Sequence, residues 1–92
     1  MLKIYMAYYT PEQYELLLQT ADDREKLDDK WQDWLVQYIK AKNNIIDKFE
    51  VEDFYIDVKK MAADFKARGL KNTIANRAAY VRDQGMMFGK RY

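Results

Sequence analysis

The sequence has 92 residues, of which 49% are hydrophobic and 34% are charged, and its formal net charge is +1. This balance is typical of one compact globular domain over residues 1–92, and it excludes a disordered or a membrane-spanning composition. Histidine and cysteine are absent, which excludes catalytic triads, thiol chemistry and zinc sites, so we expect a non-enzymatic protein without a cofactor or metal.

The first predicted element is a strand over residues 2–8, where apolar side chains alternate with a period of two. Its expected partner is residues 86–92, because Gly85 and Gly89 isolate this segment from the helical pattern before it. The chain ends would then form a short two-stranded β element. The longest uncharged apolar run, residues 4–10, is too short to cross a bilayer and lacks the pattern of a signal peptide, so we expect a cytoplasmic protein that is not bound to a membrane.

Two helices follow in the prediction. Thr10 suits an N-cap, Pro11 a first helical position and Gln13 a capping box, which predicts a helix over residues 11–20. From residue 27 to residue 49 the apolar side chains recur with the helical period. This longer segment includes Trp31 and Trp34, so we expect it to be a second helix with one buried face. The Asn43 and Asn44 pair is the position where it could end or kink.

The third helix is predicted over residues 52–68, because apolar residues recur there with the helical period and acidic residues precede it. Gly69 would end it in a left-handed turn, with Leu70 packed back on Phe65 as in a Schellman motif. A fourth helix, capped by Asn72 or Thr73, would run to residue 84. The predicted fold is therefore mostly α, a small bundle of about four helices with the short β element.

In the fourth helix a period of 100° per residue places Ile74, Ala78 and Val81 on the inward face. Arg77 and Tyr80 would then lie on an exposed flank.

The charges divide unequally along the chain. Residues 1–58, the acidic part, have seven Lys/Arg and thirteen Asp/Glu, a net charge of 7 − 13 = −6. Residues 59–92, the basic part, have nine and two, a net charge of 9 − 2 = +7. This asymmetry has two interpretations: the basic part faces an external polyanion, or it lies against the chain's own acidic part.

The helix pair over residues 54–84, joined by a short turn with Gly69, has the outline of a helix-turn-helix, although bulky Phe65 stands where that motif has a small residue. Asn and Arg suit bidentate contacts to base edges, and Lys and Arg suit phosphates. We therefore predict binding to an acidic macromolecule, DNA, RNA or an acidic protein. The candidate binding residues are Lys66, Lys71, Thr73, Asn76, Arg77, Tyr80, Arg82, Lys90 and Arg91.

Two other hypotheses remain at this point. Glu25, Asp29 and Asp33 share one helical face and have oxygen donors for a divalent cation, but Lys26 and Lys30 lie between them, so we favour a solvated face. The rival to polyanion binding is a protein–protein module, an adaptor or inhibitor. Such a module would form a homodimer through the tryptophan-bearing helix or through an open strand edge.

Overall fold

The computed structural model describes residues 2–89 of the chain. A single turn of 3₁₀ helix, Arg24–Lys26, precedes the second α-helix. The strands and α-helices are β1 (Lys3–Tyr8), α1 (Pro11–Thr20), α2 (Trp31–Ile45), β2 (Glu50–Tyr55), α3 (Val58–Arg68) and α4 (Ile74–Gly89). The predicted class, mostly helical with a short two-stranded β element, is therefore confirmed.

The strand β1 pairs in parallel with β2, in a register that runs from Lys3 opposite Glu50 to Tyr8 opposite Tyr55. The prediction that the C-terminus supplies the second strand is wrong for residues 86–89, because α4 continues as a helix through Gly89; residues 90–92 lie outside the described chain. Parallel strands need a long crossover, and here α1 and α2 form it.

The helix ends follow the predicted chemistry in two places. The Thr10 hydroxyl accepts a hydrogen bond from the Gln13 amide at 3.3 Å, and Pro11 is the first residue of α1. At the end of α3, Gly69 has a φ of 68°, and the Leu70 amide donates to the Phe65 carbonyl at 2.8 Å. The Schellman ending is therefore confirmed in its backbone.

The third helix begins later than predicted. The Asp57 carboxylate accepts a hydrogen bond from the Lys60 amide at 3.2 Å and caps α3 at Val58. Residues 52–55, predicted as its first turn, belong to β2 instead. The apolar residues Val51 and Phe54 fit the helical period, but pairing with β1 decides their conformation.

The core lies between α1, α3, α4 and the sheet. Its most completely buried side chains are Tyr14, Leu17, Val58 and Met61. Where α4 crosses β1, Gly85 allows a close approach, because a Cβ atom there would stand 2.7 Å from Cγ of Tyr5.

Two helices present faces that differ from the prediction. In α4, Ile74 is 62% exposed, whereas Arg77 and Tyr80 are buried beside Val81; the predicted inward face is therefore wrong by roughly one residue. In this orientation Arg77 contacts the buried carboxylate of Asp23, and Tyr80 and Val81 pack in the core.

In α2, the apolar residues of the predicted single face divide between two faces. Tyr38 is buried, whereas Ile39 and Ile46 are about half exposed. The helix begins at Trp31, later than predicted, and ends at Ile45, directly after the Asn43 and Asn44 pair that the sequence offered as an end. Within residues 2–89, no helix has the length and apolar character needed to cross a membrane.

Candidate functional site

Arg77 lies in a buried network rather than on the surface. Its two terminal nitrogens donate to the two carboxylate oxygens of Asp23, at 2.9 Å and 3.1 Å. One of these nitrogens also donates to the backbone carbonyl and side-chain oxygen of Asn72, at 3.0 Å and 2.9 Å. Arg77, Asp23 and Asn72 are each only 5% exposed. The network therefore ties the segment after α1 to the start of α4.

Asp23 also caps α4, because one of its carboxylate oxygens accepts a hydrogen bond from the Ile74 amide at 2.8 Å. Burial acts to raise the pKa of the Asp23 carboxyl, but the hydrogen bonds from Arg77 and Ile74 outweigh burial and lower that pKa below its ordinary value. The carboxylate is consequently ionised at neutral pH, which suits a bidentate pair with a guanidinium.

Two of the predicted binding residues are thus removed from the surface. The prediction that Arg77 lines an exposed row is wrong, since both of its terminal nitrogens bind within the chain. Tyr80 is 7% exposed, and its ring lies edge-on to that of Phe65, with 5.8 Å between the ring centroids. Neither side chain is available to a base edge.

The other predicted residues within the described chain are at least partly exposed. Lys66, Lys71 and Arg82 are exposed, and Thr73 and Asn76 are partly buried. The Asn76 side-chain amide donates to the Lys71 carbonyl at 2.8 Å, so part of its hydrogen-bonding capacity is used inside the chain. The predicted positions Lys90 and Arg91 lie outside the described residues.

A basic surface that the sequence analysis did not single out lies on α3 and the turn after it. Lys59 and Lys66 are seven residues apart and share one helical face, Lys60 lies beside them, and Lys71 follows the helix end; all four are exposed. We call Lys59, Lys60, Lys66 and Lys71 the lysine surface. The missed signal was the +7 charge of residues 59–92, which already included Lys59 and Lys60.

The ion pairs show how little the two parts of the chain neutralise each other. Among the described residues, only the Arg77–Asp23 pair joins the basic part to the acidic part, and none of the four residues of the lysine surface has an ion pair. The remaining pairs are Lys3–Glu52, Arg24–Asp29, Lys42–Asp53, Arg68–Asp64 and Arg82–Asp83. The four lysines of this surface are therefore not neutralised by direct ion pairs with the acidic part.

A cavity of about 370 Å³ lies between β1, α2 and α4, with walls that include Tyr9, Trp34, Tyr38 and Val81. The Tyr38 hydroxyl in its wall donates a hydrogen bond to Asp53, and no buried side-chain nitrogen or oxygen in the described chain lacks a partner. Burial, together with the hydrogen bond to Asp53, raises the pKa of Tyr38. The cavity has the size of a small-molecule site, but no unpaired buried group in it points to a ligand.

The outer face of α2 is an apolar surface that does not contribute to the core. Val36, Ile39 and Ile46 are 49%, 48% and 49% exposed. Single exposed aliphatic residues are ordinary, whereas an aligned group is typical of an interaction surface.

Within residues 2–89, no group of three or more acidic side chains is arranged to hold a metal ion. The side chains of Glu25, Asp29 and Asp33 are exposed, and Asp29 forms an ion pair with Arg24 at 2.8 Å. Comparisons with protein-family models, curated proteins and solved structures find no match for this chain.

Proposed function

We propose that this chain is a non-enzymatic binding protein that holds nucleic acid on the lysine surface. The observation that carries the proposal is the exposure of Lys59, Lys60, Lys66 and Lys71 without an ion pair in the described chain. Neutralising phosphates releases condensed counterions, which is the main source of affinity in non-specific binding. Lysine acts in such contacts as a compact, hydrated point charge.

The same geometry argues against strong sequence preference. Arg77 was the residue best suited to bidentate contact with a base edge, and it is bound to Asp23 inside the protein. The lysine surface offers charge to the phosphate backbone, which positions a nucleic acid without identifying its bases. We therefore expect similar affinity for different sequences of equal length.

The test is fluorescence anisotropy with a labelled oligonucleotide, titrated at several salt concentrations. The double variant Lys66→Ala/Lys71→Ala should reduce the slope of log affinity against log salt by about 2, roughly 1 for each lysine that no longer neutralises a phosphate. The matched control is Lys30→Ala/Lys48→Ala, which removes the same charge from exposed lysines elsewhere.

Comparing the affinities of these two double variants distinguishes binding at the lysine surface from a general effect of net charge. An equal loss in both would mean that net charge alone drives binding, and it would contradict the proposed surface. Absence of salt-dependent binding by the unmodified protein would contradict the function itself.

A second candidate function is protein–protein interaction through the outer face of α2. The observation that favours it is the aligned exposure of Val36, Ile39 and Ile46 on a helix whose other face already packs within the chain. A concentration-dependent mass in solution would support this candidate.

A further inference from the structure

Four exposed residues on the outer face of α2, together with the residue directly after its end, have alternating spacings of four and three, a pattern that we call the outer seam. They are Gln32, Val36, Ile39, Asn43 and Ile46. This is the spacing of the a and d positions through which two helices pack together, with β-branched residues at the centre and one asparagine among them. Because Trp34 and Tyr38 pack on the opposite side of α2, the outer seam has no role in the core of its own chain.

We propose that the outer seam binds a second copy of this chain, with the two α2 helices antiparallel about a twofold axis. The inference deepens the second candidate function and rests on it. It is independent of the lysine surface, which belongs to α3 and the turn after it.

The antiparallel arrangement pairs four of the five seam residues with one another. When Val36 lies opposite Ile39 of the second copy, the twofold axis places Ile39 opposite Val36 of the second copy. The same register places Gln32 of each copy opposite Asn43 of the other copy, which gives two such pairs. Each side-chain amide can donate and accept, so these two pairs can satisfy one another at the ends of the apolar centre.

Charge complementarity favours the same arrangement. Asp33 and Lys40 are exposed, share one flank of α2, and have no ion pair within the described chain. A twofold axis places this flank against the same flank of the second copy, which brings Asp33 close to Lys40 of the second copy at both ends of the contact. A parallel pair would separate these flanks and would also align the two helix dipoles unfavourably.

The size of α2 limits the strength of the dimer. A pair of 15-residue helices buries less surface than a standard stable interface, so we expect reversible association with a dissociation constant above about 1 µM. The protein would then be monomeric when dilute and dimeric when concentrated.

Sedimentation velocity over a concentration series measures this association. The unmodified protein should shift from monomer to dimer mass, and Ile39→Asp should weaken the association by at least about tenfold, because it places two carboxylates at the centre of the seam. The control Gln37→Asp adds the same charge to an exposed position of α2 off the seam and should leave the association almost unchanged. Far-ultraviolet circular dichroism confirms that the variants are folded.

A charge exchange tests the orientation of the two helices. Asp33→Lys alone and Lys40→Asp alone should each weaken the dimer. The double variant should recover it, because each ion pair is rebuilt with its charges reversed.

A protein that stays monomeric up to about 1 mM would overturn the proposal, and the outer seam would then be a contact surface for a helix of another protein. An Ile39→Asp variant that still associates as well as the unmodified protein would overturn the outer seam as the contact surface. A double variant that does not recover the association would overturn the antiparallel arrangement. Oligonucleotide binding, measured separately, would not be affected by any of these outcomes.

Discussion

The buried pair between Arg77 and Asp23 gives the sharpest expectation for stability. Arg77→Met keeps most of the side-chain stem but removes the guanidinium, so the Asp23 carboxylate stays buried with only backbone amides, such as that of Ile74, as donors. Removing one partner of a buried ion pair typically costs about 3–5 kcal/mol. A chain of this length is stable by roughly 5–14 kcal/mol, so the variant should fold but be severely weakened.

Urea unfolding followed by circular dichroism measures the loss. With a denaturant slope of roughly 1.5 kcal/mol/M, a loss of about 4 kcal/mol lowers the midpoint by about 2.5 M. The control Arg82→Met removes an exposed arginine whose distance to Asp83 is 3.6 Å, and it should change the free energy of unfolding by less than about 0.5 kcal/mol.

The pH dependence of the free energy of unfolding identifies the contribution of the Arg77–Asp23 pair. Because the pKa of Asp23 is lowered in the folded protein, its stabilising effect is present above the unfolded value of 3.8 and is lost as the pH falls through the folded pKa. The difference between the unmodified protein and Arg77→Met should therefore shrink below about pH 4. An Arg77→Met variant as stable as Arg82→Met at neutral pH, or a difference that does not change in acid, would refute the reasoning.

Two further perturbations address the contact between α4 and β1 and the buried tyrosines. Gly85→Ala should lower the free energy of unfolding by about 1–3 kcal/mol despite the better helix propensity of alanine, because the new methyl group would overlap the ring of Tyr5; a higher urea midpoint would show that the ring moves aside at no cost. Burial raises the pKa of Tyr9 to about 12, and burial with the hydrogen bond to Asp53 raises that of Tyr38. Since the unfolded tyrosines ionise near pH 10.0, the free energy of unfolding should fall as the pH rises above this value. An ultraviolet titration in which every tyrosine of the folded protein ionises near pH 10 would contradict the burial of Tyr9 and Tyr38.

The parts of the fold that depend on neighbouring residues could be predicted from the sequence. Thr10 and Pro11 start α1 because a hydroxyl and a fixed φ suit those positions, and Gly69 ends α3 because glycine accepts the left-handed backbone. The strand β2 could not be predicted in this way. Val51 and Phe54 fit a helical period as well as an extended one, and the partner that decides between them, β1, is distant in the sequence.

The residues of the candidate site show the same difference between local and long-range determinants. Lys66 and Lys71 could be predicted as exposed because lysine is seldom buried without a partner. Arg77 could not be placed correctly, because the carboxylate that binds it, Asp23, is 54 residues earlier in the chain. The orientation of α4 that brings Arg77 to Asp23 also buries Tyr80, which was predicted to be exposed.

The parallel pairing of β1 with β2 also determines when the molecule can complete its folding. Lys3 lies opposite Glu50, so the sheet forms only after a loop of more than about 40 residues has closed, at a cost in chain entropy that local helix formation does not recover. Contacts of such long sequence separation slow folding relative to a helical bundle of equal size. The strand β1 therefore has no sheet partner until α1, α2 and β2 have been synthesised after it.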